Sequence, residues 1–395
     1  MRRPTGQGAA ALSLLPELVR RAARVPSLAA KYAPHAAGDL PVLTDLPVLT
    51  QPELALATKE VLTLGHPSGS AQLWADGGTL DSPALTLLPE GMFAPQIRRA
   101  WRPLGPTDVL ANLHPPGKLR PDHYFYNRFA VESGATTLAF GRLPDGSHDD
   151  WLDFFARHNV TALAAPPETL RRLLGSTAAG RPVPWLRTLL LGGATHDTTA
   201  DAQIAECFPY TEVWRLYGSP SAWVTGHRGP QCLADVYHPL PHQHVEIVDG
   251  RLRVTTLDLS RNPPLIRYQT EDRGEFAYCT CGLPGPAVRV FGPSSPFFRF
   301  HGRAVSAREL VELATAVEGV AAAQVVVSGE QRIQLRVRLA AGVPDDHHTH
   351  AWIRFRVLES HLSLAACVIE QPDLFEVVAV DDVDATEAVL VSEEY

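Results

Sequence analysis

Lysine is almost missing from this chain of 395 residues, occurring only as Lys31, Lys59 and Lys118. Basic charge is carried by arginine instead, and it is outnumbered: 35 Lys and Arg face 43 Asp and Glu, for a net charge of −8. Such a chain offers no positive field to gather a phosphate backbone, which argues against a nucleic-acid partner and for a small ligand. Cysteine is scarce as well. Cys207, Cys232, Cys279, Cys281 and Cys367 are too few, over this length, for the disulfide framework of a small secreted domain, and they fit a reducing cytoplasm. No apolar run reaches the roughly 18 residues that a membrane span needs. The opening MRRPTGQGAAALSLLPELVRRAAR starts like a signal peptide, but Pro16, Glu17 and the following arginines break the apolar stretch. It reads as an amphipathic helix over Pro16 to Arg24.

What is present is ordinary globular material, 45% apolar and 20% charged. At this length two domains are expected, because single cores stop growing near 250–300 residues. Leu40 to Leu54 repeats LPVLT and is rich in proline, which predicts an extended connector. From Asp122 to Leu216 helical stretches alternate with short apolar runs. Strands are expected at Val160 to Ala165 and Leu186 to Leu191, and helices at Asp149 to His158 and Glu168 to Leu174, giving an α/β layered core. HVEIVDGRLRVTTL, His244 to Leu257, alternates around Asp249-Gly250 and predicts a hairpin that opens a β-rich section. FGPSSP at 291–296 reads as a hinge. Beyond it, Ser306 with Glu309 predicts a capped helix over Ala307 to Val317. A hairpin from Gln324 to Leu339 turning at Ser328-Gly329, a helix from His348 to His361 and a strand at Leu374 to Val380 complete a small α+β domain.

Seven ordered segments resemble the adenylate-forming ligases, in the branch of phenylacetate-CoA ligase and coenzyme F390 synthetase, across nearly the whole chain. They are LPVLTQPEL, FAVESGATTLAFG, VTALAAPPETLRRLL, LLLGGATHD, LYGSPSAW, PLIRYQTED and FFRFHGRAVSARELVE. The resemblance implies a large N-terminal adenylate-forming domain, residues 1–292, and a small mobile C-terminal α+β domain, residues 293–395. It implies attack of a carboxylate on the α-phosphate of ATP, with magnesium, followed by transfer to a thiol. For adenine and ribose it implies Gly192, Gly193, Tyr217, Gly218 and Ser219 at strand ends and Asp272 as a two-hydroxyl acceptor. Read from the residues alone, pairing of Asp272 with Arg267 at a strand edge is the preferred expectation.

The catalytic positions depart from the pattern. TLGHPSGS, Thr63 to Ser70, stands at the phosphate loop without a lysine, and Pro67 removes a backbone donor. Ser221 stands where the resemblance implies a magnesium-binding carboxylate, Gly292-Pro293 where it implies Gly-Arg, and His301-Gly302 where it implies Arg-Gly. No lysine follows Lys118, so no residue is assigned a catalytic role. Each such donor commonly accounts for about 100- to 1000-fold in rate. The expectation is a ligase-like protein with weak or lost adenylation that still binds ATP or AMP or a small carboxylate. The alternatives are an active acyl- or aryl-CoA ligase using His301 and Arg303, and a non-catalytic scaffold, as a homodimer or beside an active paralogue.

Four residues suggest a metal. A strand would point the sulfurs of Cys279 and Cys281 to one face, and Cys232 and His238 lie six apart before the hairpin that leads back to them. Their order resembles the positions by which some members of the branch hold zinc, implying a closed structural Cys3His site. The alternative is a pair of half-buried thiols on a turn. The run DDHHTH, Asp345 to His350, reads as a solvated helix start. GSPSA lacks the second glycine of a hydrolase elbow.

Overall fold

The computed structural model describes residues 12–36, 41–65, 70–78, 83–117, 119–144, 148–166, 169–170, 172–173, 183–192, 198–219, 221–294, 297–300, 303–328, 332–361, 364–365, 367–368, 371–383 and 389–392. The chain divides into two compact units, residues 1–74 with 85–291 and residues 75–84 with 292–395.

The first unit opens with helices α1 (Leu15–Ala22), α2 (Pro26–Ala36) and α3 (Gln51–Leu64). In α1 Leu15, Leu18, Val19 and Ala22 fall on one face and are buried, while Glu17 pairs with Arg20 and Arg21 on the other. That helix ends two residues before the expected Arg24. The proline-rich connector is also shorter than expected, because Gln51 to Leu54 form the first turn of α3. Thr50 and Glu53 make a reciprocal capping box there, with the Thr50 amide donating to Glu53 Oε2 at 2.8 Å. The Thr-x-x-Glu signature stands in the sequence, and the repeated LPVLT obscures it.

Strands β1 (Ala71–Gly78) and β2 (Pro83–Pro89) pair with each other, and helix α4 (Ala94–Ala100) follows. Next come β3 (Val109–Asn112), α5 (Asp122–Glu132), β4 (Thr136–Leu138), α6 (His148–Arg157), β5 (Ala162–Ala164), β6 (Thr188–Gly192), α7 (Thr198–Cys207) and β7 (Glu212–Ser219). The strands of this stretch are parallel, as short apolar runs alternating with helices require. Of the expected helix at Glu168 to Leu174, residues 169–170 and 172–173 are helical, and the others lie outside the described residues. The β-rich section is β8 (Trp223–Arg228), β9 (Val236–Pro239), β10 (Gln243–Val248), β11 (Arg251–Thr256), β12 (Tyr268–Ala277) and β13 (Ala287–Pro293). Asp249 and Gly250 both have positive φ, 52° and 72°, as the two-residue turn between β10 and β11 requires. Parallel and antiparallel strands share one eleven-stranded sheet in the order β10-β11-β12-β13-β9-β8-β7-β6-β5-β3-β4.

The second unit contains β14 (Phe297–Phe300), β15 (Arg303–Ser306), α8 (Ala307–Thr315), β16 (Val320–Ser328), β17 (Arg332–Leu339), α9 (His347–Ser360), β18 (Phe375–Ala379) and β19 (Val389–Ser392). Its sheet has the order β18-β17-β16-β19. Ser306 caps α8 by accepting from the Glu309 amide at 3.2 Å, and Asp346 caps α9 by accepting from the Thr349 amide at 2.8 Å. The turn at Gly329 lies outside the described residues. Among the described residues no helix is long and apolar enough to cross a membrane.

Candidate functional site

The carboxyl ends of the parallel strands gather the segments that the sequence singled out. Gly192 ends β6, and a Cβ on it would lie 3.0 Å from the Tyr126 hydroxyl oxygen of α5. Gly193 lies outside the described residues, as do residues 66–69 of the phosphate-loop segment and His301-Gly302. Tyr217, Gly218 and Ser219 end β7. Gly218 is required by packing alone, since a Cβ there would lie 2.1 Å from the Trp223 carbonyl oxygen. Ser219 Oγ accepts from the Ala222 amide at 3.2 Å and tightens the turn into β8.

Asp272, in the middle of β12, is brought to this place by the sheet. The Tyr217 hydroxyl donates to Asp272 Oδ2 at 2.7 Å, and both residues are 3% exposed. The two best candidates for nucleotide contact therefore already hold each other. Arg267 does not pair with Asp272. Its Nε donates to Glu246 Oε2 at 3.0 Å and its Nη1 to the Thr44 and Leu46 carbonyls, so it fastens the N-terminal connector to β10. The arginine and the aspartate of PLIRYQTEDR thus do separate work.

Arg261 gave no signal in sequence, standing in the polar run DLSRNPP. It is 2% exposed, and its guanidinium donates to the carbonyls of Leu87 and Ser221. Among the described residues no carboxylate pairs with it, and its Nε has no hydrogen-bond partner. Burial, opposed by the nearby Tyr268 hydroxyl, pushes its pKa down to about 10. A second buried cationic group joins α7 to the sheet. Asp201 accepts from both Arg215 of β7 and Arg228 of β8, the latter at 3.2 Å. The Arg228 guanidinium also lies over the Tyr237 ring, 5.9 Å from its centroid. Tyr237 in turn packs on Tyr217 at 5.3 Å.

The Cys and His residues converge at the far end of β12. Ligand atoms of Cys232, His238, Cys279 and Cys281 all lie within 4.8 Å of one another, the only such group among the described residues. Strand alternation is not the cause. Strand β12 ends at Ala277, and Cys279 and Cys281 lie on the turn that follows, beside Gly282 with φ +81°. His238 belongs to β9, and Cys232 sits in a turn where its sulfur accepts from the Gly229 amide at 3.4 Å. His238 Nε2 lies 3.2 Å from Cys281 Sγ, while its Nδ1 is buried without a partner.

The electrostatics of this group suit a cation. Burial pushes the Cys232 thiol up to about 12, with Cys281 adding to it. Burial acts the same way on Cys279, yet hydrogen bonds from the Cys281 and Leu233 amides bring its thiol below the usual value. Burial holds His238 low and therefore neutral, the form that ligates. Three thiols in so small a space can ionise together only around a positive charge. The spacing of four soft and borderline donors fits a zinc ion.

The chain has the fold of the adenylate-forming ligases. It is similar to 2-hydroxyisobutyryl-CoA ligase in complex with 2-HIB-AMP and CoA, at 17% identity over 97% of this chain and 89% of that one, with a TM-score of 0.77. It is also similar to the amide bond synthetase McbA from Marinactinospora thermotolerans, at 17% identity over 85% of this chain and 76% of that one, with a TM-score of 0.61. A malonyl-CoA ligase in complex with methylmalonyl-CoA and AMP matches at 17% identity over 79% and 71%, with a TM-score of 0.59. No protein-family model and no curated protein matches the sequence.

Proposed function

We propose that this protein binds a nucleotide or a small carboxylate on an adenylate-forming ligase scaffold of the phenylacetate-CoA ligase type and has lost most of the adenylation step. The observation that carries this reading is Arg261 behind Ser221. Where the sequence resemblance implies a carboxylate for magnesium, this chain has a serine whose own carbonyl takes a hydrogen bond from a buried guanidinium. A fixed positive charge with no carboxylate to neutralise it repels a divalent cation in so poorly screened a place. Magnesium is then not held to neutralise pyrophosphate as it leaves. ATP–pyrophosphate exchange with aryl or medium-chain acids is expected at least about 100-fold below that of a working ligase. Robust magnesium-dependent exchange would overturn the reading.

Binding is a separate matter from chemistry. Tyr217 and Asp272, 55 residues apart, meet at the carboxyl ends of the strands, where α/β sheets take their ligands. For a ribose to use Asp272 Oδ2, it must replace the Tyr217 hydroxyl with one of its own. This exchange keeps the Asp272 oxygen satisfied but costs the Tyr217 hydroxyl its bond to it, which supports weak affinity. AMP should bind in calorimetry, with Asp272→Ala weakening it about tenfold or more. Tyr217→Phe, which keeps the ring and the carboxylate, should not weaken it. Equal binding by wild type and Asp272→Ala would remove the nucleotide site from the proposal.

Cys232, His238, Cys279 and Cys281 would hold a zinc ion with a structural role. When bound, zinc supplies a closed tetrahedral link and no reaction step. The four residues tie together the turn before β9, β9 itself and the turn after β12.

A further inference from the structure

The second unit contains a cavity that the nucleotide and metal readings do not use. It measures about 860 Å³ and lies between one face of α9 and the start of β18, within the size range of small-molecule sites. Its apolar lining includes Phe355, Leu358, Phe375 and Val377. Phe355 is 53% exposed and stacks with the equally exposed Trp352 at 6.0 Å. A stacked aromatic pair left half in water at a cavity is costly unless something covers it.

The polar lining holds two guanidiniums, Arg332 and Arg354, that pair with no carboxylate among the described residues. Arg354 is held by the main chain, Nε donating to the Phe375 carbonyl at 2.9 Å and Nη2 to the Pro372 carbonyl at 2.8 Å. Its Nη1 has no partner among the described residues. The two carbonyls fix the guanidinium without neutralising it, which is how a preorganised anion contact is built. Arg332, at the start of β17, also lines the cavity and has no partner among the described residues. Two of the three lining carboxylates are already engaged, Glu359 by Arg356 at 2.9 Å and Glu376 by the Gln334 amide at 2.8 Å. The amide leaves the charge of Glu376 in place, so Asp373 and Glu376 balance the two guanidiniums in charge while neither pairs with them.

We propose that this cavity of the second unit is a binding site for an amphipathic monocarboxylate, its apolar body against Phe355, Leu358 and Phe375 and its carboxylate on Arg332 and Arg354. A neutral ligand of the same shape leaves both guanidiniums without a charged partner. The site does not depend on the nucleotide reading, since all its residues belong to the second unit.

Octanoate and its uncharged analogue octanamide test the proposal on the full chain by calorimetry and saturation-transfer NMR. Octanoate is expected to bind about tenfold more tightly than octanamide, as one charge-assisted contact implies. Arg332→Gln, at an exposed position, should weaken octanoate about tenfold and leave octanamide unchanged. Phe355→Ala should weaken both by a few fold, about the loss of part of an aromatic contact. Equal affinity for acid and amide, absence of octanoate binding, or wild-type affinity in both variants would each overturn it. The last result would place the carboxylate in the first unit.

Discussion

Cys279→Ser is expected to empty the zinc from the purified protein and to cost about 3–5 kcal/mol of stability. Wild type should carry about one zinc per chain by this ligand count. Without the ion, the half-buried Cys232 thiol stays protonated and the sulfurs have no common partner, so the turns at Cys232 and Cys279 lose what holds them together. The turn after β12 has no strand pairing to replace it. In a chain of this size the melting temperature should fall by roughly 5–10 °C. Treating wild type with a chelator should reproduce the shift, and the same treatment of Cys279→Ser should add nothing, which separates loss of metal from loss of a thiol contact. Metal-free wild type, or a variant that melts unchanged, would end the metal assignment. Nucleotide affinity should be unaffected, because Asp272 lies on the strand and the sulfurs lie beyond its end.

Asp201→Asn is expected to cost a similar amount, about 3–5 kcal/mol in chemical denaturation, for a different reason. Arg215 and Arg228 are both buried and share this one carboxylate. Burial lowers the pKa of Arg215 and the Asp201 charge raises it again, so the carboxylate is what makes a charged guanidinium tolerable there. Asparagine can accept one hydrogen bond but carries no charge, and two guanidiniums then face each other in a place with little water. Adding Arg215→Met to Asp201→Asn should recover part of the loss, because it removes one of the stranded charges. A loss below about 1 kcal/mol would mean that water reaches the pair and solvates it. The cluster also packs through Tyr237 onto Tyr217, so Asp201→Asn should weaken AMP binding while zinc content stays constant.

The local elements were legible because their causes are local. The Asp249-Gly250 turn, the Ser306 cap and the buried face of α1 are each set by residues within a few positions of one another. The same holds for the Thr50 and Glu53 box, where the signature was present but the proline-rich repeat before it suggested an extended chain. The alternation of helices and apolar runs was sufficient for an α/β section followed by a β-rich one. It could not say that both share one sheet, since the junction of β7 with β8 depends on Gly218 lying against the Trp223 backbone.

What the sequence determined by itself is the set of chemistries that this protein can hold. The lack of lysine after Lys118, the serine at position 221 and the order of Cys232, His238, Cys279 and Cys281 are matters of residue type, and no fold can change them. The tertiary structure decided which groups meet. It gave Arg267 to Glu246 instead of Asp272, put Tyr217 on Asp272, set Arg261 behind Ser221 and gathered the sulfurs on a turn instead of along a strand. These partners lie tens of residues apart and depend on strand order and register, where a slip of one residue would turn every side chain to the opposite face.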